Sequence, residues 1–414
     1  MYDRSLLPAL LAALADTPVT LLAGPRQAGK STLARDGLAG SRPMAYVTLD
    51  DAAALASAHA DPVGFVDGLR EPTVIDEVQR ATGLFPAIKA SVDRDRRPGR
   101  FLLTGSANVL MLPNLSESLA GRMVILTLWP LAQSEIERTT PRLLEGLFAR
   151  EFPSWRGGGG RVDIVARAIR GGYPEAVARA DSRRRQSWFG SYITTMMQRE
   201  VRDIANVADL AALPRLLQFA AARAASLLNM ADLSRDSGIA PATLKRYLAL
   251  LEATYLVHRL PAWARNATTR LVKSPKLLIV DSGLMAYLLR AADPAAIGDD
   301  PRVGSLVENF VGTELLKLAG CAPERYTISY FRTQHGMEVD FVIEDARGNV
   351  AGIEVKTAAT VSARDFNGLR ALAAMTGSDF RRGIVLYTGA ATLSFGDGMF
   401  AVPVSALWSA PIAR

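Results

Sequence analysis

Residues 24–32 have the types and the spacing of a loop that binds phosphate. Gly24 and Gly29 are separated by four residues, and Lys30 and Ser31 follow directly. Glycines let a backbone turn its N–H groups around phosphate oxygens, a lysine reaches the β- and γ-phosphates, and a serine hydroxyl ligates Mg²⁺. The apolar run Val19–Ala23 precedes the loop and a helical pattern follows it, as this chemistry requires. The residues predicted to bind ATP and Mg²⁺ are Gly24, Pro25, Arg26, Gln27, Ala28, Gly29, Lys30, Ser31 and Thr32.

Two carboxylates form a second motif. The apolar run Pro72–Ile75 ends in Asp76 and Glu77. At the end of a buried strand, Asp76 can hold Mg²⁺ through water, and Glu77 can polarise the water that attacks the γ-phosphate. Such a pair alone would more often be a solvated strand end, but its position about fifty residues after the loop favours nucleotide hydrolysis.

Residues that could sense the γ-phosphate lie at and just after the end of the next apolar run, Phe101–Thr104. Ser106 is the predicted sensor, and Thr104 and Asn108 remain alternatives. Arg122 is a candidate arginine finger that acts on a neighbouring subunit, although an ordinary surface arginine fits the sequence equally well. Because arginine fingers act between subunits, we expect a homo-oligomer, either a ring or a dimer. The predicted catalytic residues are Lys30, Glu77, Ser106 and Arg122.

The pattern over residues 230–248 predicts a helix, a glycine turn and a second helix, which is the spacing of a helix-turn-helix motif; residues 256–263 could add a wing. Between residues 240 and 276 there are seven lysines or arginines and one acidic residue, a bias that attracts phosphates. Trp263 and Tyr247 could stack on bases. An oligomerisation or lid module is the alternative to DNA binding. The candidate DNA-binding residues are Lys245, Arg246, Arg265, Arg270 and Lys273.

Three carboxylates and a lysine in the last third of the chain have the order of a metal-dependent nuclease site. Glu308 lies on a predicted helix and Asp340 on a predicted strand, while Glu354 and Lys356 are two residues apart on the next strand and so share a face. Two carboxylates could hold a second Mg²⁺ or Mn²⁺ while the lysine orients the attacking water. The arrangement resembles the PD-(D/E)xK nuclease superfamily, with Val339 where a proline often stands. A fold that keeps these charges without catalysis, or only binds nucleic acid, is the alternative.

Seven short segments together carry a wider resemblance. They are residues 24–32, 75–79, 103–106, 117–122, 171–175, 281–284 and 307–310. These segments resemble the motifs of bacterial and archaeal AAA-type ATPases that carry a C-terminal domain of unknown function, DUF4143. The resemblance extends over nearly the whole chain and implies an ATPase core. It departs mildly at Arg199 and Glu200, where we would expect an arginine followed by an aspartate.

The order of apolar and helical stretches predicts an α/β protein in several parts. Apolar runs in the first ~140 residues predict the parallel sheet of a P-loop NTPase. Pro153 and four consecutive glycines at 157–160 predict a flexible linker. A helical period then continues to about residue 290, and a mixed pattern of helix and strands follows. The predicted domains are a P-loop ATPase domain over 1–140, a linker over 141–161, a helical winged-helix-like domain over 162–295 and a small mixed α/β, restriction-endonuclease-like domain over 296–414.

The composition narrows the class of protein. Of the 414 residues, 49% are hydrophobic and 21% are charged, which excludes a disordered or collagen-like chain. One cysteine, Cys321, excludes an internal disulfide, and the net charge of +7 favours an anionic partner. The apolar stretch Leu6–Ala15 fits an amphipathic first helix better than a signal peptide, and no apolar run has the ~18–20 residues of a membrane helix. We therefore expect a cytoplasmic protein with no membrane partner.

These expectations combine into an ATP-driven machine. It would bind ATP, release ADP and couple hydrolysis to DNA binding and processing by translocation, branch migration or cleavage. One alternative is a nucleotide-gated switch that acts on a protein partner. Another is a DNA-binding scaffold with an inactive nuclease fold.

Overall fold

The computed structural model describes residues 2–106, 119–200, 212–265, 274–291, 293–294, 300 and 302–412. Three candidate residues, Asn108, Arg270 and Lys273, therefore lie outside the described part of the chain. The chain forms two compact units. The first unit is built mainly from Met1–Pro130, and the second mainly from Leu131–Gln198 and Val257–Arg414.

A five-stranded parallel sheet forms the centre of the first unit. Its strands are β1 (Val19–Ala23), β2 (Ala45–Thr48), β3 (Thr73–Asp76), β4 (Phe101–Gly105) and β5 (Met123–Thr127). They lie in the order β2-β3-β4-β1-β5, so that β1 is hydrogen-bonded to both β4 and β5. All residues of β1 and β4 are buried, as expected for apolar strands of a parallel sheet that is covered on both faces. The predicted P-loop NTPase sheet is confirmed.

Helices of the first unit pack their apolar residues toward this sheet. In α5, Leu84, Ile88 and Val92 recur every four residues and are buried. In α1, Leu10 and Leu14 are buried, which agrees with the amphipathic helix expected there. The helices are α1 (Leu7–Asp16), α2 (Lys30–Thr32, continued by a π-helical turn over Leu33–Gly37), α3 (Ala52–Ala60), α4 (Pro62–Asp67) and α5 (Leu84–Arg94).

Helices dominate the described part of the chain between residues 131 and 291. They are α6 (Gln133–Glu137), α7 (Leu143–Phe148), α8 (Gly160–Arg170), α9 (Pro174–Val177), α10 (Ser182–Thr195), α11 (Ala212–Ala222), α12 (Met230–Ser237), α13 (Pro241–Ala253) and α14 (Ser282–Leu288). The predicted helix-turn-helix corresponds to α12 and α13, joined through Gly238. The wing expected at 256–263 contains β6 (Val257–Leu260), whose antiparallel partner is β7 (Lys276–Ile279).

The segment predicted to be a flexible linker is packed instead, and that expectation was wrong. Residues 143–148 form α7, and the Trp155 side chain is buried. The rings of Phe152 and Phe400 lie 4.5 Å apart, and the Gly157 amide donates to the Ala390 carbonyl at 2.8 Å. Burial of two aromatic side chains holds this segment in place in spite of its glycines.

A six-stranded mixed sheet forms the C-terminal part of the second unit. Its strands are β8 (Tyr326–Arg332), β9 (Glu338–Asp345), β10 (Val350–Val355), β11 (Phe380–Tyr387), β12 (Leu393–Ser394) and β13 (Met399–Pro403). Their order is β12-β13-β11-β10-β9-β8, with β10 antiparallel to β9 and parallel to β11. Helices α15 (Arg302–Cys321) and α16 (Asn367–Thr376) contact this sheet. The predicted mixed α/β fold is confirmed.

Two of the motif segments meet inside the second unit. The Asp281 carboxylate caps α14 by accepting from the Leu284 amide at 2.9 Å, and it also accepts from the Gly172 amide at 2.7 Å. Its complete burial raises the pKa of Asp281. These contacts give segments 171–175 and 281–284 a structural role.

None of the helices in the described ranges is both long and apolar enough to cross a membrane.

Candidate functional site

The loop after β1 has the backbone of a phosphate cradle. Gly24 has φ +146° and Gly29 has φ +97°, conformations that side chains disfavour. A Cβ atom added to Gly24 would lie 2.2 Å from the Leu128 carbonyl oxygen, so only glycine fits there. Of the other loop residues, Pro25 and Ala28 are buried, Arg26 is half-buried, and Gln27 and Thr32 are exposed.

The Lys30 side chain lies inside this loop. Its ammonium donates to the carbonyl oxygens of Gly24 and Pro25, both at 2.9 Å, and the residue is 4% exposed. Arg4 holds the loop by donating to the Ala28 carbonyl at 2.6 Å and to the Trp129 carbonyl at 2.7 Å. Arg4 could not be predicted from the sequence, because nothing in the local pattern relates it to a loop more than twenty residues further on.

Hydroxyl groups surround the Asp76 carboxylate at the end of β3. Ser31 donates to Asp76 Oδ1 at 2.9 Å, Thr104 donates to the same oxygen at 2.5 Å, and Thr48 is 3.4 Å from Oδ2. Burial is the main cause that raises the pKa of Tyr46, and its hydrogen bond to Asp76 raises the pKa further. The loop serine and the strand carboxylate are thus adjacent oxygen groups, a donor set that fits Mg²⁺. Thr48 and Tyr46 were not foreseen, although their strand, β2, pairs with β3.

Glu77 is held beside Asp76 by side chains of β4 and of the turn that follows β3. Its backbone, at φ +58°, donates to the Thr104 hydroxyl at 3.1 Å. Its carboxylate lies 3.2 Å from the Ser106 hydroxyl and accepts a short hydrogen bond from the Gln79 amide. Gln79 also donates to Ser106 at 2.8 Å. The Thr104 hydroxyl therefore links Asp76 to Glu77, and Gln79 is an unpredicted neighbour of Glu77.

Arg122 lies at the amino ends of the strands of the sheet, whereas the phosphate loop lies at their carboxyl ends. It precedes Met123, which pairs with Val19 at the start of β1, whereas the loop follows the end of β1. At ~3.3 Å per residue, the length of a strand separates Arg122 from the loop of its own chain. Its guanidinium donates to Asp93 at 2.6 Å, and this bond lowers the pKa of Asp93. A finger role could be exercised only on another subunit.

The candidate DNA-binding residues differ in their surroundings. Lys245 and Arg246 are exposed on α13. Arg265 is exposed too, but it donates to the Thr376 carbonyl at 2.9 Å and lies 3.5 Å from Asp379. The expected stacking residues, Trp263 and Tyr247, are 4% and 2% exposed and cannot offer a ring face to a base, so that expectation was wrong.

An unpredicted lysine lies among the candidate nuclease residues. Lys276 on β7 is 1% exposed, and its ammonium is 2.6 Å from Glu308, 3.1 Å from Glu338 and 3.4 Å from Asp340. We refer to Glu308, Glu338 and Asp340 as the carboxylate cluster. Glu338 could have been found from the sequence, since it lies two residues before Asp340 on the same strand face. Lys276 belongs to a strand that was not predicted.

The other predicted nuclease residues lie beside this cluster. Lys356 is 3.0 Å from Glu354, and the second oxygen of Asp340 accepts from the Val355 amide at 2.9 Å. Burial and the charge of Asp340 raise the pKa of Glu308 to about 8 and that of Glu354 to about 7. Burial would lower the pKa of Lys276, but the surrounding carboxylates outweigh it and raise the value. Across the residues with described positions, no group of three acidic, histidine or cysteine side chains is arranged to hold a metal ion.

Three family models match the chain. An AAA domain matches residues 16–137, a domain of unknown function (DUF8612) matches residues 161–295, and another domain of unknown function (DUF4143) matches residues 303–407.

Similar proteins are also known from other organisms. An uncharacterized protein of Mycobacterium tuberculosis is 32% identical over 391 residues, covering 94% of this chain and 81% of that protein. One of Haemophilus influenzae is 24% identical over 287 residues, covering 66% of this chain and 62% of that protein. AMPPCP-bound DnaA from Aquifex aeolicus is similar with 13% identity and a TM-score of 0.25, covering 59% of this chain and 85% of that one. The chain belongs to the family of AAA-type ATPases that carry a C-terminal DUF4143 domain.

Proposed function

We propose that the chain binds ATP with Mg²⁺ in the loop 24–32 and hydrolyses it at the ends of β3 and β4. The observation that carries the proposal is the 2.9 Å hydrogen bond between Ser31 and Asp76, because it joins the loop to the strand-end carboxylate through two oxygen groups. Mg²⁺ bound there would neutralise charge that develops on the phosphates.

The residues of this chain would divide the work. Lys30 would turn from the Gly24 and Pro25 carbonyls to the phosphates, and Asp76 and Ser31 would exchange their mutual hydrogen bond for the metal. Glu77 would accept a hydrogen bond from the attacking water, and Ser106 beside it would respond to the γ-phosphate. Arg122 would act on the nucleotide of a second subunit in a homo-oligomer.

We further propose that hydrolysis is coupled to DNA handling, such as translocation or branch migration. This part is supported by the helix-turn-helix of α12 and α13, by the exposed Lys245 and Arg246 on its second helix, and by the net charge of +7. A nucleotide-gated switch with a protein partner is the competing function. Cleavage of DNA would additionally require Asp340 and Glu354 to hold a metal.

Nucleotide binding tests the first part. Titration of the full chain with ATP and Mg²⁺ in a calorimeter should give heat for the wild type. Lys30→Ala should weaken binding on the order of 100-fold, because the ammonium inside the loop is lost. Lys245→Ala, which removes an exposed lysine from α13, is the matched control and should bind as the wild type does. A Lys30→Ala protein with unchanged affinity would overturn the site.

ATP hydrolysis with and without DNA tests the second part. Duplex, single-stranded or branched DNA should raise the rate several-fold, and the Lys245→Ala/Arg246→Ala protein should lose this stimulation while its DNA-free rate is unchanged. Removal of two exposed arginines elsewhere, Arg347 and Arg364, is the charge-matched control. If no DNA form changes the rate, the switch function is favoured.

Mixing of variants tests the role of Arg122 between subunits. Arg122→Ala and Lys30→Ala proteins should each be inactive alone and should recover part of the hydrolysis when mixed, because one supplies the finger and the other the loop. Asp93→Ala removes the same ion pair but keeps the arginine, so it should remain active. Inactive mixtures, or an active Arg122→Ala protein, would contradict the finger role.

A further inference from the structure

The carboxylate cluster already contains a cation that belongs to the chain. Three carboxylates approach the Lys276 ammonium, at 2.6, 3.1 and 3.4 Å, on a residue that is 1% exposed. The rings of Tyr330 and Phe341 also lie 5.9 and 5.8 Å from the ammonium, within the range of cation–π attraction. Charge, burial and aromatic faces therefore all select a fixed monovalent cation at this position.

We propose that the Lys276 ammonium is the resident cation of the carboxylate cluster and excludes divalent metal from it, so that the nuclease-like domain does not cleave phosphodiesters by metal catalysis. This inference is independent of ATP hydrolysis in the first unit. A PD-(D/E)xK fold implies Mg²⁺, and the side chains of this domain do not fit that ion.

Each carboxylate that a metal would need already contacts a group of the chain. One oxygen of Asp340 faces Lys276 and the other accepts the Val355 amide. The Glu354 carboxylate is bonded to Lys356 at 3.0 Å. Entry of a divalent ion would force two like-charged centres together among these groups, or would drive a buried ammonium away from three carboxylates, and both are strongly unfavourable.

The backbone holds Lys276 where it is. Lys276 pairs with Leu260 in the antiparallel ladder of β6 and β7, and a bridge joins it to Leu227 on its other side. The Tyr330 hydroxyl also donates to the carbonyl of Ser274, two residues earlier. Because both edges of β7 are bonded at this residue, the side chain cannot leave the cluster by a shift of its own strand.

Binding of Mn²⁺ to the nucleotide-free full chain tests the proposal. All proteins carry Asp76→Asn, which removes the carboxylate proposed to bind Mg²⁺ beside the phosphate loop. Bound Mn²⁺ is counted by electron paramagnetic resonance, and the thermal midpoint is followed as Mn²⁺ is added. The parent should bind the same amount of Mn²⁺ with and without the added Asp340→Asn substitution. Its thermal midpoint should not rise as Mn²⁺ is added.

Replacement of the lysine should open the site. Lys276→Met keeps the length of the side chain but removes the charge, so it should bind one Mn²⁺ at least about tenfold more tightly than the parent. Mn²⁺ should raise its thermal midpoint, and the added Asp340→Asn should abolish both effects. A folded Lys276→Met protein that binds no Mn²⁺ would overturn the proposal.

The parent alone decides the question if Lys276→Met does not fold. Mn²⁺ binding by the parent that depends on Asp340 would overturn the proposal. So would nicking of supercoiled DNA with Mn²⁺ or Mg²⁺ by the wild type, if Asp340→Ala abolishes it. If neither Asp340-dependent Mn²⁺ binding nor Asp340-dependent nicking is observed, the result supports a domain in which the Lys276 ammonium is the resident cation.

Discussion

The phosphate loop and the carboxylate cluster use the same residue types in opposite ways. In the loop, the buried Lys30 donates to two backbone carbonyls, and Asp76 accepts from hydroxyl groups. In the cluster, the buried Lys276 contacts the carboxylates themselves. The hydrogen bonds described for Lys30 go to neutral backbone carbonyls, whereas the groups around Lys276 are ionisable carboxyl groups.

This difference decides how readily each region accepts an external ligand. Exchange of a neutral hydrogen bond costs about 1 kcal/mol, which a bound triphosphate and its metal can offset. Breaking a buried ion pair costs about 3–5 kcal/mol, because a charge is left without its partner. Side chains in the loop should therefore control chemistry, while those in the cluster should control folding.

The largest effect is expected on hydrolysis from Glu77→Gln. The amide keeps the shape of the side chain beside Ser106 and Gln79 but cannot take up a proton, so the rate should fall about 100- to 10,000-fold with ATP affinity unchanged. Steady-state hydrolysis measures the rate, and ATP titration of the same preparation measures the affinity. Glu145→Gln, at an exposed position of α7, is the control. A marked loss of stability in Glu77→Gln would contradict the distinction between side chains that control chemistry and side chains that control folding.

The next effect is expected on stability from Lys276→Met. It should lower the free energy of unfolding by about 3–5 kcal/mol, because buried carboxylates lose their counter-ion. Lys30→Met removes hydrogen bonds to the neutral carbonyls of Gly24 and Pro25 and should cost about 1–2 kcal/mol. Denaturant titrations of both proteins make the measurement. Adding Glu308→Gln to Lys276→Met should recover part of the loss, and equal losses for the two lysines would refute the distinction.

A smaller effect is expected from Thr104→Val, which preserves shape but removes the hydroxyl between Asp76 and Glu77. Loss of one buried hydrogen-bonding group costs about 1–1.5 kcal/mol, so hydrolysis should fall about tenfold in kcat/KM. Thr20→Val on β1 is the matched control, since the buried Thr20 hydroxyl has no hydrogen-bond partner among the described residues and its removal should not change the rate. Equal losses in both proteins would assign the effect of Thr104 to packing.

Local patterns predicted the loop side of this comparison. The expected strands Pro72–Ile75 and Phe101–Thr104 correspond to β3 and β4 within about one residue. Parallel pairing then brings the residues that follow them together at the carboxyl ends of the strands, which is why spacing alone could predict that Ser31, Asp76 and Glu77 lie close together.

Contacts between distant parts of the chain could not be predicted in this way. Lys276 is 32 residues from Glu308 and 64 from Asp340, on a short strand inside a region of helical pattern. The glycines at 157–160 suggested a linker, because local backbone preference says nothing of the burial of Phe152 and Trp155. In each case the deciding contact depends on how the second unit packs.

Arg4 gives the smallest and most specific test of the loop. Its guanidinium donates to the Ala28 and Trp129 carbonyls and so holds the loop in place. Arg4→Ala should weaken ATP binding about three- to tenfold, since an ordered loop loses two charge-assisted hydrogen bonds, and kcat at saturating ATP should stay close to that of the wild type. Arg4→Lys should recover part of the affinity. A fall in kcat without a change in affinity would place Arg4 in the chemical step and would extend the reactive part of the loop to the first helix.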